Sequence, residues 1–210
     1  MILRISKMSK RVYISADYSS CDGDRVVVEE LNKWGQDSLH KVDFVDMAQV
    51  VSGTVAADDD CRICDLKEEF NRQINASSAV VFIVGDKTAD RKAGSACSRA
   101  SEDQWNCTCT PYKDNRWGSK PCKVTTAFIP KENDNYGCIN SCSYLQHEFM
   151  QAAKKNKDIV ILYNSTRKES SWLPSYMNLY ADKAVPFWIY NSSGNKIGNY
   201  AYIKSALGFD

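Results

Sequence analysis

The strongest constraint on the fold is the apolar run AVVFIVG at residues 79–85, which has no polar residue inside it. A strand with one face in water alternates apolar and polar residues, whereas a strand covered on both faces does not. Parallel sheets are covered in this way, because their crossover helices lie on both faces. The run therefore predicts the central strand of a parallel sheet.

Predicted strands and helices alternate on both sides of this run. The segment RVYISA at 11–16 is β-branched and aromatic, and the helical segment that follows it begins with VVVEEL. Further strands are predicted at 42–47, 159–164 and 185–191, and further helices at 65–75, 143–158 and 200–207. This order predicts an α/β fold, a three-layer flavodoxin-like domain with a five-stranded parallel sheet and right-handed crossovers.

The helix at 143–158 has both of its ends marked in the sequence. Ser143 is placed to cap its N-terminus, and Gln146 follows at the spacing of a capping box. Lysines cluster at the other end, where the helix dipole favours cations.

Residues 89–142 interrupt the alternation between the third strand and the helix that should follow it. The segment contains six of the nine cysteines and no lasting periodicity. Because structureless loops of this length are uncommon in compact domains, we expect a packed or functional insertion. At 210 residues, the chain has room for a single domain with such an insertion. We place the domain at 9–210, since Met8 is a second candidate start and residues 1–7 then lie outside it.

Cysteine content, charge and hydropathy indicate the cellular compartment and exclude some classes of partner. No secretory signal or membrane span is apparent, so we expect a cytoplasmic protein with mostly reduced thiols. Zinc is the alternative for the cysteines, but their spacing is irregular and the chain has only two histidines. The formal net charge of +1 gives no general attraction to nucleic acid or anionic lipid, so neither is an expected partner.

Ligands of such folds bind at the carboxyl ends of the strands. The side chains predicted there are Ser15, Asp17, Tyr18, Asp46, Thr88 and, near the start of a helix, Glu148. Sequence motifs for dinucleotide-dependent hydride transfer, for P-loop phosphoryl transfer and for the α/β-hydrolase elbow are absent. A response-regulator receiver is disfavoured, because Lys183 precedes the last strand instead of following it.

Several segments together resemble a known family. These are KRVYISADY, FVDMAQ, LKEEFNRQINASSAVVFIVGDKT and YLQHEFMQAAKKNKDIVILYNS. They are similar to the bacterial TIR-like family, which includes the TIR-like subunit of the Thoeris anti-phage system. The resemblance covers 10–88 and 143–166, about half of the chain. The chain departs from the family in its long insertion and in Tyr144, where relatives often carry tryptophan.

The resemblance implies an activity and a catalytic residue. It implies cleavage of NAD as a substrate, with no metal or other cofactor, and it assigns the catalytic glutamate to Glu148. It also implies a signalling nucleotide as product, with a nucleotide-sensing effector and a homo-oligomeric or TIR assembly as partners. Substrate contacts are then expected from Tyr144 and from the strand-end residues named above.

Two other functions remain open at this stage. One is a non-enzymatic adaptor that assembles with other TIR-like chains, and the other is an N-glycosidase or transferase acting on nucleosides. Taken alone, Glu148 also fits a solvated helix acid, and the strand-end residues also fit turn formers. Trp105 and Trp117 of the insertion fit packing within it better than stacking on a base.

Overall fold

A computed structural model describes residues 10–19, 23–36, 42–45, 63–91, 112–115, 118–121 and 143–208. Its main element is a five-stranded, all-parallel sheet of β1 (Lys10–Ser15), β2 (Val42–Val45), β3 (Ala79–Val84), β6 (Asp158–Tyr163) and β7 (Val185–Pro186). The strand order is β2-β1-β3-β6-β7. This is the order of flavodoxin-like α/β proteins, so the predicted fold class and the five-stranded parallel sheet are confirmed.

Helices cover both faces of the sheet, and each face has its own core. The helices are α1 (Arg25–Gly35), α2 (Ile63–Ala76), α3 (Tyr144–Lys154) and α4 (Tyr200–Ala206). One core joins α2 and α3 to the sheet through residues such as Phe70, Phe82 and Phe149. The other joins α1 and α4 to the opposite face. Strand β3 is fully buried along its length, as its unbroken apolar sequence predicts.

The last predicted strand, 185–191, is wrong as a single element. Val185–Pro186 pairs with β6, whereas β8 (Trp188–Tyr190) forms an antiparallel hairpin with β9 (Lys196–Gly198). The hairpin turns at Gly194, whose φ of 76° favours glycine. Between β6 and β7 the chain forms 3₁₀ turns at Ser170–Trp172 and Ser175–Tyr180, so an α-helix does not follow every strand of the sheet.

Part of the predicted insertion at 89–142 is described. A 3₁₀ turn at Thr88–Asp90 leads into it, and β4 (Tyr112–Asn115) pairs with β5 (Gly118–Pro121) in an antiparallel hairpin. The backbone N–H of Tyr144 donates to the carbonyl oxygen of Arg91 at 3.1 Å, so the residues on either side of this segment lie next to each other. Its six cysteines, Trp105 and Trp117 lie outside the described residues.

None of the helices among the described residues is both long enough and apolar enough to cross a lipid bilayer.

Candidate active site

Glu148 lies in the second turn of α3, and the beginning of this helix is fixed by its cap. The Ser143 hydroxyl accepts a hydrogen bond from the backbone N–H of Gln146 at 3.2 Å, which confirms the predicted cap. Leu145 and Phe149 pack into the core between the helix and the sheet. Glu148 adjoins this apolar stripe and is only 2% exposed, so it is not a solvated helix acid.

The carboxyl group of Glu148 faces β1. The hydroxyl of Tyr13, a fully buried residue, donates a hydrogen bond to Oε1 of Glu148. Ser15 lies on the same face of β1, two residues further on, at the carboxyl end of the strand. Neither Ser15 Oγ nor Glu148 Oε2 has a hydrogen-bond partner among the described residues. Buried polar atoms are nearly always paired, so these two atoms are candidates to pair with each other, with a water or with a ligand.

Burial dominates the protonation of this group. Removal from water raises the pKa of Glu148 from 4.5 to about 8, although Ser15, Tyr13 and the charge of Lys67 each act to lower it. Ser15 Oγ therefore lies close enough to the carboxyl to favour its ionised form, but the pair lacks the geometry of a hydrogen bond. At pH 7 the ligand-free group is mostly a neutral carboxylic acid. A cation placed beside it would release the proton.

Asp24 forms a second buried acidic centre at the carboxyl edge of the sheet. One carboxylate oxygen accepts from the Thr88 hydroxyl at 2.8 Å and from the backbone N–H of Asp17 at 3.1 Å. The other accepts from the side-chain amide of Asn164 at 2.9 Å. These partners follow β3, β1 and β6, so Asp24 joins the ends of three strands. Burial raises the pKa of Asp24 to about 6 against the effect of these hydrogen bonds.

Asp17 is only 2% exposed and is held by two contacts. Its carboxylate accepts from Arg91 Nε at 2.8 Å and from the backbone N–H of Ser19 at 3.0 Å. The first contact ties the end of β1 to the segment after β3. The second is the Asx-type turn expected of an aspartate that follows a strand. Asp17 is therefore a turn former with a structural ion pair.

The structure brings most of the predicted site residues to one edge. Burial raises the pKa of Tyr144, and the nearby charges of Asp24, Glu148 and Asp17 raise it further. The Tyr144 hydroxyl has no hydrogen-bond partner among the described residues. Tyr18 packs against the cores on both faces of the sheet. Asp46, the remaining predicted contact, lies outside the described residues.

A polar seam between α2 and α3 orients the helix that carries Glu148. His147 Nε2 lies 3.0 Å from Asn71 Oδ1, and the Gln151 amide donates to Asn75 Oδ1 at 2.8 Å. Burial, followed by the charge of Lys67, lowers the pKa of His147 to about 3. A neutral histidine held in this seam fits an orienting role better than proton transfer.

Sequence reasoning missed two residues of this edge, Tyr13 and Asp24. A tyrosine in a buried strand needs a partner for its hydroxyl, and that requirement was the available signal for Tyr13. Asp24 precedes α1 and has the position of an N-cap, but its side chain makes no capping hydrogen bond. Its carboxylate binds the strand ends instead, and no pattern within the helix indicates this.

We expect Asp24→Ala to destabilise the fold by about 3 kcal/mol or more. The substitution leaves two buried donors, on Asp17 and Thr88, and one part-buried donor on Asn164 without a partner, and each unpaired buried group costs about 1–3 kcal/mol. Urea denaturation measures the loss. The control is Asp158→Ala, which removes an exposed ion pair with Lys10 and should cost less than about 1 kcal/mol. Equal losses in the two variants would contradict the proposed role of Asp24.

A small apolar cavity of about 10 Å³ lies away from this edge. Trp34, Phe44 and Ile203 are among its lining residues, between α1, β2 and α4. That volume is about the least that one water molecule requires, and the lining offers a water no polar partner. The cavity is therefore not a substrate site.

No cluster of three or more metal-ligating side chains occurs within the part of the chain that the structure describes. Cys61 lies outside it, as does the side chain of Cys64.

Comparison of the chain with protein-family models, with curated proteins and with solved structures found no significant match in any of the three. The candidate active site is therefore defined by its own geometry: a buried glutamic acid with one unpartnered oxygen, beside an unpartnered serine hydroxyl at the carboxyl edge of a parallel sheet.

Proposed function

We propose that this chain is a cytoplasmic TIR-type enzyme that breaks the bond between nicotinamide and ribose in NAD and forms an ADP-ribose-derived signalling nucleotide, with cyclisation favoured. One observation carries the proposal. A glutamic acid, 98% removed from solvent, keeps one carboxyl oxygen unpartnered at the edge where such sheets bind ligands. The sequence resemblance assigns catalysis to that same residue.

The chemistry needs few groups. Nicotinamide departs as a neutral molecule from a cationic pyridinium, so its departure requires no general acid, unlike that of an ordinary glycoside alkoxide. The protein has to stabilise the positive charge that develops on the ribose. A carboxylate held in position in a site of low dielectric does this well. Glu148 would hold the ribose hydroxyls through Oε2 and stabilise the oxocarbenium ion.

The cationic substrate itself would ionise the group. In the free protein the carboxyl has a pKa of about 8, and the positive pyridinium beside it lowers that value. NAD binding near neutral pH should therefore release a proton. The carboxylate then exists mainly when substrate is present, so the free protein avoids most of the free-energy cost of a buried charge.

The pH dependence of the reaction follows from this. We expect kcat/KM for NAD to rise about tenfold per pH unit up to about pH 8 and then to level off, because it reports the free enzyme. The profile of kcat should level off at lower pH, since the bound cation lowers the pKa of Glu148. Initial rates of nicotinamide release between pH 6 and 9.5, corrected for spontaneous NAD decay, measure both profiles. A kcat/KM that falls over this range would contradict the proposed role of the carboxylate.

The direct test is incubation of the purified chain with NAD, alone and with lysate from phage-infected cells. Chromatography and mass spectrometry distinguish linear ADP-ribose from a cyclic isomer. Release of nicotinamide supports the proposal. Faster turnover of simple nucleosides than of NAD favours a nucleoside N-glycosidase or transferase instead. Absence of cleavage under both conditions, together with assembly onto other TIR-like chains, favours an adaptor.

The proposal also implies partners. The product would act through a nucleotide-sensing effector protein in an anti-phage system, and the enzyme would act as a homo-oligomer or in a TIR assembly. A neighbouring gene encoding a nucleotide-sensing effector would support this part. Neither a nucleic acid nor a membrane is proposed as a partner.

A further inference from the structure

Tyr13 lies two residues before Ser15 on β1, further from the carboxyl end of the strand. It belongs to β1, which has β2 on one side and β3 on the other, and it is paired with Val45 and Val80. Its side chain is fully buried, and its hydroxyl reaches across the interface to Glu148 on α3. A tyrosine so enclosed by the sheet has little freedom to move. Its hydroxyl is therefore a fixed donor.

A fixed donor restricts a carboxyl group that is otherwise free to turn. The last torsion of a glutamate side chain is broad and roughly two-fold, so packing alone orients the carboxyl plane poorly. The hydrogen bond from Tyr13 occupies Oε1. Oε2 remains without a partner among the described residues, as does Ser15 Oγ, which is nearer to the strand end. The two oxygens of Glu148 therefore have different environments.

We propose that Tyr13 is the positioning residue of the active site: by donating to Oε1 it sets the carboxyl plane of Glu148 and leaves Oε2 for the ribose of the substrate. The assignment of the substrate rests on the proposed function. The contact between Tyr13 and Glu148 does not, so the two parts can fail separately. Tyr13 itself does not touch the reacting atoms.

The other ionisable groups facing Glu148 allow the contribution of Tyr13 to be isolated. They come from the helices α2 and α3 and are Lys67 and Tyr144. The charge of Lys67 favours the ionised carboxylate, as does the hydrogen bond from Tyr13. Substituting Tyr13 by phenylalanine removes one of these two influences and leaves Lys67 in place. The pKa of Glu148 should then rise.

The first experiment titrates Glu148 without using activity. The full chain is labelled with ¹³C at glutamate side-chain carboxyls, and the Glu148 resonance is identified by its loss in Glu148→Gln. We expect a midpoint near pH 8 in the wild type and one about one unit higher or more in Tyr13→Phe. The control is Tyr163→Phe, another fully buried tyrosine of the same core, whose hydroxyl forms no hydrogen bond with Glu148. Equal midpoints in the three proteins would overturn the proposal.

A second measurement needs no substitution at Tyr13 and so remains decisive if that variant fails to fold. In wild-type protein labelled at tyrosine Cζ, the Tyr13 resonance should move with the same midpoint as the Glu148 carboxyl. A Tyr13 resonance that stays constant while Glu148 titrates would rule out the contact.

The kinetic arm tests positioning. In Tyr13→Phe, kcat for NAD cleavage should fall about tenfold to a hundredfold while KM changes far less, because misorientation affects the transition state more than binding. The loss of kcat should persist at pH 9.5, where the bound pyridinium keeps the carboxyl ionised in the substrate complexes of both proteins. Full recovery of kcat at pH 9.5 would mean that Tyr13 only lowers the pKa of Glu148, and it would overturn the proposal that Tyr13 positions the carboxyl. If the carboxyl titrations differ as expected but neither protein cleaves NAD, the contact stands and the proposed function fails.

Discussion

Glu148→Gln should abolish the release of nicotinamide from NAD, with a loss of about a thousandfold or more. Glutamine keeps the size of the side chain and a hydrogen-bonding oxygen for Tyr13, but it cannot carry the negative charge that opposes the developing oxocarbenium ion. Removal of one preorganised electrostatic contact typically costs a hundredfold to a thousandfold, and a full charge in a buried site exceeds that. Initial rates with saturating NAD measure the effect.

The control for this experiment is Glu69→Gln. Glu69 is also buried, at 6% exposure, but its carboxylate bonds to Arg72 and Gln73 on its own helix, away from the strand ends. This variant should keep NAD cleavage within about threefold of the wild type. Glu148→Gln with wild-type activity would refute the enzymatic proposal. Equal losses in both variants would point to a fault in folding.

Glu148→Gln should also change how the free energy of unfolding depends on pH. The pKa of Glu148 is 4.5 in an exposed chain and about 8 in the fold, so the fold favours the protonated form. The stability contributed by that form is complete below pH 4.5 and is lost as pH rises to about 8. At about 1.4 kcal/mol per pKa unit, the full difference corresponds to roughly 5 kcal/mol. Glutamine does not titrate and should escape this loss.

Urea denaturation of both proteins at pH 5, 7 and 9 provides the measurement. Asp24 and His147 also titrate differently in the folded and unfolded chains, but they are present in both proteins, so the difference between the proteins isolates Glu148. Glu148→Gln should become the more stable protein as pH rises, while Glu69→Gln should not. Parallel stability curves from pH 5 to 9 would show that Glu148 has no raised pKa.

Much of the fold could be predicted because its signals are local. The apolar run of β3 is covered on both faces, and the Ser143 cap marks where α3 begins. The end of the sheet could not be predicted in this way. Residues 185–191 are apolar enough for one strand, but apolarity does not indicate which strand is the partner. The chain divides there because β9 returns through the turn at Gly194 and takes β8 as its neighbour.

For the site, the sequence predicted its place at the carboxyl edge of the sheet and one of its acids, Glu148. The carboxyl ends of parallel strands lie along one edge of the sheet, so the sequence alone places Ser15, Thr88 and Glu148 near one another. The hydrogen bonds along this edge join residues that are far apart in the chain. Tyr13 and Glu148 are 135 positions apart, and Asp24 and Asn164 are 140 apart. Local periodicity carries no information about such pairs.

The hydrogen bond between Tyr144 and Arg91 has a consequence for how this chain can diverge over time. Since Tyr144 and Arg91 are hydrogen-bonded to each other, the fifty or so positions between them form a long connection whose two ends are held together. Adding or deleting residues within a long connection changes its loop-closure entropy only slightly. Evolution can therefore replace that stretch as a whole while Glu148 stays where α3 places it.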